Sequence, residues 1–435
     1  MKPSYIKNTI LKTINSMSAD IESFVRNPGV DFTRNRKCSF SDIILCILSM
    51  ESHSTNREIR RFFQRKNKAL ISSSAFNQQR KKINDEVFPY LFSAINEILP
   101  FRKTFYGYHL LAVDGSDVNL PPLKDDVTTF VKSNTAGTGY HQLHLNAVYD
   151  VLEERYVDTL MQPRAFYDER EAFLEFISRN PISGQCIYTA DRGYFSNNIL
   201  AHLYSSGFSF VLRMGAPGGS NTFLNRFDLP DADEFDISLE FSFTRSRKNI
   251  YKNNPSKYVY VRKDRPFDFI ELNDKESLYP IKVRVVKILL PSGTPEYLIT
   301  DLPKESFDSN KLEEIYRLRW GIETSFRHLK YNVGLVYFHS IRRDFIIQEV
   351  YARIILYNLT RLLINCVSLP KKNTKYKQKI SIADATTTCR DFLIQRFKND
   401  VIEEMLIRYV TYIRPNRSFN RRKLTKHFIS LTNRL

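Results

Sequence analysis

The stretch 311–335 carries four polar residues whose types and spacing suit phosphate or metal chemistry. They are a phenol, a guanidinium, a carboxylate and an amine at Tyr316, Arg319, Glu323 and Lys330. The stretch has no proline and predicts one continuous helix. At about 100° per residue the four side chains fall in a stripe roughly 60° wide. The carboxylate offers hard oxygen to Mg²⁺, and the other groups offer hydrogen-bond donors to a phosphate.

An apolar stripe runs beside the polar one on the same predicted helix. Its members are Ile315, Leu318, Ile322, Phe326 and Leu329. The helix should therefore pack on the core and hold the polar stripe at the core edge. The alternative interpretation is ordinary salt bridging on a solvated helix face, which does not require these four residue types in one narrow line.

Two aspartates follow apolar segments that the residue pattern predicts as strands. Asp114 ends the apolar run of HLLAVD, and Asp191 ends CIYTAD. The predicted order of strands and helices indicates a mixed α/β core, in which carboxylates from neighbouring strands can converge at one sheet edge. Asp117 lies an odd number of residues from Asp114, so we expect it on the opposite face and outside the site. His141 and His144 should likewise face opposite ways, which argues against a shared metal site.

The first hundred residues are predicted to be helical and basic. The third helix, Ser74–Ile83, is expected to present a polar and basic series outward: Asn77, Gln78, Gln79, Arg80, Lys81 and Lys82. Such side chains can read base edges or hold phosphates, and three helices ending in a basic one suit a helix-turn-helix-like DNA reader. An ordinary helical bundle with a solvated basic face is the alternative.

Composition and patterning divide the chain into five predicted regions. These are a helical DNA-binding region (1–104), the first part of a catalytic core (105–215), an all-β insertion (216–302), the second part of the core with the Glu323 helix (303–366), and a basic C-terminal region (367–435). The alternating basic strands of the insertion could line a DNA channel, although half-buried strands with a solvated face look the same.

The charge balance favours a polyanionic partner. The chain has 65 Lys and Arg against 47 Asp and Glu, a net charge of +18. Nucleic acid is the usual partner for such a surplus. An anionic membrane surface is the rival, but the sequence shows no basic amphipathic anchor. Five widely spaced cysteines fit a reducing cytosol better than a disulfide framework, and no apolar run approaches the length of a membrane span.

Together these motifs resemble the DDE transposases of bacterial insertion sequences, specifically the IS-four family. The resemblance is carried by VDGSD around Asp114, TADRGY around Asp191, and the ungapped series Tyr, two residues, Arg, three residues, Glu, six residues, Lys that starts at Tyr316. It covers roughly residues 35–365 and includes a β-rich insertion between the second aspartate and the glutamate.

The resemblance implies an RNase H-like core that binds two Mg²⁺ ions, with Mn²⁺ as a substitute. Asp114, Asp191 and Glu323 would be the catalytic and metal-ligating residues. The other signature residues would hold DNA. The implied reaction is cut-and-paste transposition, with cleavage at terminal inverted repeats and joining to target DNA. A dimer in the DNA complex and a place in the bacterial cytoplasm, on the nucleoid, are also expected.

Two rival functions remain open at this stage. The first is a metal-dependent nuclease or resolvase on the same fold that performs no strand transfer. The second is a non-catalytic DNA-binding protein derived from a transposase, which loss of one of the three carboxylates would favour; none is lost here.

Overall fold

A large mixed sheet organises the chain. The computed structural model describes residues 1–132, 139–219, 222–290, 292–370, 375–395 and 397–413. Within these residues the sheet has ten strands: β1 His109–Leu120, β2 Phe130–Val131, β3 Tyr140–Asp150, β4 Arg155–Pro163, β5 Cys186–Ala190, β6 Ser209–Met214, β7 Phe235–Thr244, β8 Tyr258–Tyr260, β9 Leu278–Leu289 and β10 Pro295–Thr300.

Helices cover both faces of this sheet. They are α1 Pro3–Ala19, α2 Phe40–Ser49, α3 Thr55–Arg65, α4 Ser73–Arg80, α5 Val87–Ile98, α6 Glu169–Ser178, α7 Asn197–Ser206, α8 Asn249–Lys252, α9 Ser309–Leu318, α10 Trp320–Tyr331, α11 Arg343–Asn365, α12 Ile382–Ile394 and α13 Asn399–Arg408. A separate two-stranded sheet pairs β11 Gln378–Ile380 with β12 Val410–Tyr412. In the described part of the chain, no helix has the length and apolar character needed to cross a membrane.

The strand order sets where the predicted aspartates meet. The order is β2-β3-β1-β5-β6-β10-β9-β7-β8, with β4 on the other side of β3. Strands β1, β3 and β4 are antiparallel, while β5 runs parallel to β1 and β6 runs parallel to β5. Val113 pairs with Ala190, so the next residues, Asp114 and Asp191, lie at the same edge of adjacent strands. The predicted mixed α/β class is confirmed.

Alternation along β1 divides the core into two layers. Ala112 and Val118 pack into a cluster with α10, α11 and the N-terminal helices. Leu111 and Val113 point the other way, into a cluster with α6 and α7. Because successive strand residues face opposite sides, Asp114 shares the α10 side, whereas Gly115 and Asp117 share the α6 side.

The region 216–302 extends the core sheet. Strand β10 pairs antiparallel with β6, and β9, β7 and β8 follow outward. The region also contains α8, and its buried Phe267 and Ile270 reach the core from turns rather than from a strand. The four strands widen the sheet, so this region is joined to the core by backbone hydrogen bonds between strands.

The N-terminal helices share their core with α11. Ile44, Phe63 and Phe88 belong to the same buried cluster as Leu356 on α11. Helix α2 begins at a capping box in which the Ser39 hydroxyl accepts from the Asp42 amide. Helices α12 and α13, in the region predicted only as basic, also pack on this cluster. The basic tail from residue 414 onward lies outside the described residues.

The helix predicted over 311–335 is two helices. Asp308 caps α9, and the chain tightens at Arg319, whose amide donates to the Tyr316 carbonyl at 3.1 Å. The Ile322 amide then donates to the Arg319 carbonyl at 3.0 Å. These three-residue turns replace the four-residue pattern at one point. The prediction of a continuous helix is therefore wrong, although Arg319 keeps helical backbone angles.

Candidate active site

Asp114 is a largely buried carboxylate in the middle of β1, next to the point where β5 ends. The Gly115 amide donates to its Oδ1 at 2.9 Å. Burial raises the pKa of Asp114 to about 6; the Gly115 amide and the Arg319 charge oppose this rise, and the charges of Glu323 and Glu169 add to it. The ionised form of Asp114 is therefore costly mainly because the carboxylate is buried, and a bound cation would offset that cost.

Asp191 is held from two sides by residues of neighbouring elements. The Tyr316 hydroxyl donates to its Oδ1 at 3.3 Å, and the Arg213 Nη1 lies 3.4 Å from the same atom. Burial alone would raise the pKa of Asp191, but the backbone amide of Arg192 and the charges of Arg319 and Arg213 lower it. Asp191 is thus an ionised carboxylate beside Asp114.

Arg319 joins the helix carboxylate to the two strand carboxylates. Its Nη2 donates to Glu323 Oε1 at 3.2 Å, and the guanidinium is 4% exposed against 35% for Glu323. Burial opposes the charge of Arg319, yet its pKa is raised through Tyr316, Asp114, Glu323 and Asp191. A single buried guanidinium therefore bonds Glu323, and its charge also acts on the other two predicted catalytic carboxylates, Asp114 and Asp191. Its Nε has no hydrogen-bond partner within the described residues.

Lys330 connects α10 to the strand that carries Asp114. Its Nζ donates to the Ser116 hydroxyl at 2.8 Å and to the Asp117 carbonyl at 2.7 Å. Burial lowers the pKa of this amine, and the charge of Asp117 opposes that change. The amine therefore bonds the sheet edge two and three residues after Asp114, rather than Glu323 on its own helix.

The carboxylates supply suitable chemistry for a divalent cation. Asp114, Asp191 and Glu323 offer hard oxygens, and the negative charge of Glu323 acts on the buried Asp114 carboxylate. In the part of the chain that the structure describes, however, no three His, Cys, Asp or Glu side chains are already grouped closely enough to hold an ion. The donor set fits a cation in charge and type.

Three residues of this site were missed in the sequence. Arg213 is the lone charged residue in the apolar strand FSFVLRM, and this isolated charge could have marked it as a candidate site residue. Glu169 and Tyr194 approach Asp114 from the α6 side: the charge of Glu169 acts on Asp114, and both carboxylates act on the Tyr194 hydroxyl. No local pattern reveals this approach, because it depends on the packing of α6 across β1.

The predicted DNA-reading helix presents part of its polar series to solvent. Gln78 and Lys81 are exposed, and Gln79 and Lys82 are partly exposed. The expectation that Arg80 faces outward is wrong. Arg80 is 1% exposed and bonds three residues of α11, the Gln348 side chain at 2.7 Å, Glu349 at 3.0 Å and the Phe345 carbonyl at 2.6 Å.

An acidic centre at a sheet edge, flanked by buried cations, suits an enzyme that handles phosphate esters. Residues 106–359 match the family described as the transposase DDE domain. Because this match spans more than half of the chain, the protein belongs to that family, and the predicted transposase class is confirmed.

Two further comparisons were made with known proteins. The comparison with curated proteins gives no match. Among solved structures, the chain is similar to a piggyBac transposase synaptic complex with hairpin DNA determined by cryo-electron microscopy. The two share 12% sequence identity with a TM-score of 0.44, and the alignment covers 90% of this chain and 80% of that one.

Proposed function

We propose that this protein is a cut-and-paste DNA transposase of the IS-four type, which cleaves DNA at terminal inverted repeats and joins the ends to target DNA. The observation that carries the proposal is the convergence of Asp114 and Asp191 on adjacent strands with the buried Arg319 that bonds Glu323. Membership of the transposase DDE domain family supports the same reaction class.

The strand arrangement supports an RNase H-like core. Three antiparallel strands, β4, β3 and β1, are followed by β5 and β6, which run parallel to β1. Strands β7 to β10 lie between Asp191 and Glu323 in sequence and are proposed to correspond to the family's insertion, here joined edge to edge with the core.

Each site residue has a proposed role. Asp114, Asp191 and Glu323 would hold two Mg²⁺ or Mn²⁺ ions. Divalent cations at such a site stabilise the attacking and leaving oxygens of an in-line displacement at phosphorus. Arg319 balances charge among the carboxylates, and the Tyr316 hydroxyl fixes the Asp191 carboxylate. The same site serves cleavage and joining, since water and a DNA 3′-hydroxyl differ only as nucleophiles.

DNA recognition is proposed to involve α4 and the residues after it. Gln78, Gln79, Lys81 and Lys82 lie at or near the surface and offer donors to bases and phosphates. The net charge of +18 supports a DNA partner. We further propose a dimer in the DNA complex and a bacterial cytoplasmic, nucleoid-associated location.

The test uses the full chain and DNA carrying the inverted repeats that flank its gene. Asp114→Ala, Asp191→Ala and Glu323→Ala should each abolish Mg²⁺-dependent nicking while retaining repeat binding in gel-shift assays. A matched control is Asp308→Asn, an N-cap change away from the carboxylates. Cutting at the wild-type rate by any of the three alanine variants would remove that residue from the site.

Product analysis on the same preparations separates transposition from its rivals. Nicking without joining to a target plasmid would favour a nuclease or resolvase, and repeat binding without nicking by the wild-type chain would favour a non-catalytic DNA-binding protein.

A further inference from the structure

A histidine with two carboxylate partners lies behind the strand that carries Asp114. His144 on β3 is 5% exposed. Its Nδ1 lies 2.8 Å from Asp117 Oδ1, at hydrogen-bond distance, and its Nε2 lies 3.1 Å from Glu169 Oε1, at ion-pair distance. Asp117 belongs to β1 and Glu169 is the first residue of α6. One imidazole therefore joins a second strand and a helix to the Asp114 strand.

The His144 imidazole and the Glu169 carboxylate, which with Asp117 form the His144 group, contact the backbone next to Asp114 because residue 115 is glycine. A Cβ placed on Gly115 would lie 2.3 Å from His144 Nε2 and 2.9 Å from Glu169 Oε1. Both side chains therefore rest on the bare Cα of the residue whose amide donates to the Asp114 carboxylate. Any larger residue at 115 would displace the imidazole or the carboxylate.

Further contacts fix the group in place. Asp168 caps α6, since its Oδ1 accepts from the amides of Arg170 and Glu171, and this sets the position of Glu169. The Tyr167 ring lies 4.6 Å from the His144 ring, with centroids as the reference points. The acidic partners oppose burial and raise the pKa of His144, which favours the charged imidazolium between them.

An unpartnered hydroxyl points to a ligand at the same place. Tyr194 is 3% exposed, and its hydroxyl has no hydrogen-bond partner within the described residues. Its pKa is raised first by burial and then by the charges of Glu169 and Asp114, so the hydroxyl lies in the field of both carboxylates. A buried hydroxyl left in this position is costly unless another group satisfies it.

We infer that His144 and Glu169 are positioning residues for the cation site: clamped between Asp117 and Glu169, His144 supports the Gly115 backbone and thereby holds the Asp114 carboxylate in place for a divalent cation. The inference rests on the proposed metal-dependent function. The two residues act from the α6 face, opposite the α10 face that carries Glu323. The partners that orient a ligand in this way typically change metal affinity by 10- to 100-fold when replaced.

The experiment measures Mn²⁺ binding by calorimetry on the full chain without DNA, so it does not depend on turnover. Glu169→Gln removes the charge and keeps the shape; we expect Mn²⁺ affinity to fall at least about tenfold, with the melting temperature of the metal-free protein preserved. Glu171→Gln is the matched control, because this exposed residue makes the same charge change in the same helical turn. It should bind Mn²⁺ like the wild type.

Two additional variants separate positioning from folding. Glu169→Asp keeps the charge, but its side chain is too short to reach both His144 and the Gly115 backbone. It should therefore bind Mn²⁺ more weakly than the wild type. This variant replaces Glu169→Gln as the test if Glu169→Gln does not fold. Gly115→Ala should reproduce the loss. Wild-type Mn²⁺ affinity in folded Glu169→Gln, or in Glu169→Asp where the glutamine variant does not fold, would overturn the inference.

Asp114→Asn, measured in parallel, tests the underlying cation site itself. Loss of binding in Asp114→Asn with no change in the Glu169 variants would defeat this inference alone. Unchanged binding in Asp114→Asn would instead defeat the proposed metal site.

Discussion

The Arg319 guanidinium lies 3.2 Å from the Glu323 carboxylate while also facing Asp114 and Asp191. A buried cation at this point partly neutralises the charge that a divalent cation would neutralise. Arg319 therefore has two opposing effects on a metal-dependent reaction, and they can be measured separately.

Replacing Arg319 should separate metal binding from chemistry. Arg319→Ala removes a competing positive charge, so Mn²⁺ affinity without DNA should rise several-fold. Single-turnover nicking and joining should nevertheless slow about ten- to a hundredfold, because loss of one charge-assisted contact costs about 1.5–3 kcal/mol. Arg317→Ala on the exposed side of α9 is the control. Weaker metal binding in Arg319→Ala would contradict the charge-balancing role.

Lys330 should contribute mainly by anchoring α10 to β1. Lys330→Ala leaves the Asp117 carbonyl without this donor and should lower the free energy of unfolding by about 1–3 kcal/mol in urea titrations. Ser116→Ala removes only the hydroxyl contact and should cost less. Lys330→Arg should recover part of the loss, since a planar fork replaces a point donor. If Lys330→Ala slows joining without any loss of stability, the amine acts on DNA instead.

The pKa of Asp114 predicts a pH dependence of metal binding. A cation binds the deprotonated carboxylate, so Mn²⁺ affinity should fall about tenfold per pH unit below pH 6 and level off above it. Because the folded pKa lies above the unfolded value near 3.9, deprotonation destabilises the metal-free fold as pH rises from about 4 to 6.

The stability change gives an independent measurement of the same group. Asp114→Asn should stabilise the metal-free protein by about 3 kcal/mol at pH 7 and leave it nearly unchanged at pH 4. Urea titrations at the two pH values measure this difference, with Asp308→Asn as the control. An equal effect at both pH values would show that Asp114 titrates normally.

Arg80 and Lys81 are adjacent in sequence and should behave oppositely. Arg80→Ala removes the guanidinium that bonds Gln348 and Glu349 Oε1 in the core, although Glu349 Oε2 keeps His339, so the free energy of unfolding should drop by about 3 kcal/mol. Lys81→Ala should change stability by less than about 0.5 kcal/mol but weaken repeat binding and reduce its salt dependence. A destabilised Lys81→Ala, or a stable Arg80→Ala with weaker DNA binding, would reverse these roles.

Sequence alone predicted that Asp114, Asp191 and Glu323 belong to one site, because the signals for each of them are local. The ends of two apolar runs mark Asp114 and Asp191, and helical spacing relates Glu323 to Tyr316. The break between α9 and α10 at Arg319 has no local sequence signal, because tertiary packing decides whether the backbone there forms three-residue or four-residue turns. Arg80 illustrates a missed signal: it lies four residues after Phe76 and three before Ile83, on the apolar face of α4, but the surrounding polar residues concealed that spacing. The continuity of β10 with β6 is a long-range pairing that no local pattern contains.

The core shared by the N-terminal helices and α11 has a consequence for the proposed DNA cleavage. Arg80, one position before Lys81, is bonded directly to α11, and α11 follows α10 in the chain. If α4 reads the repeat as proposed, these bonds tie the reading surface to the helix that follows the Glu323 helix. The fold would then fix the distance between the repeat-binding surface and the carboxylates. The number of base pairs between the bound repeat and the scissile phosphate would therefore be constant.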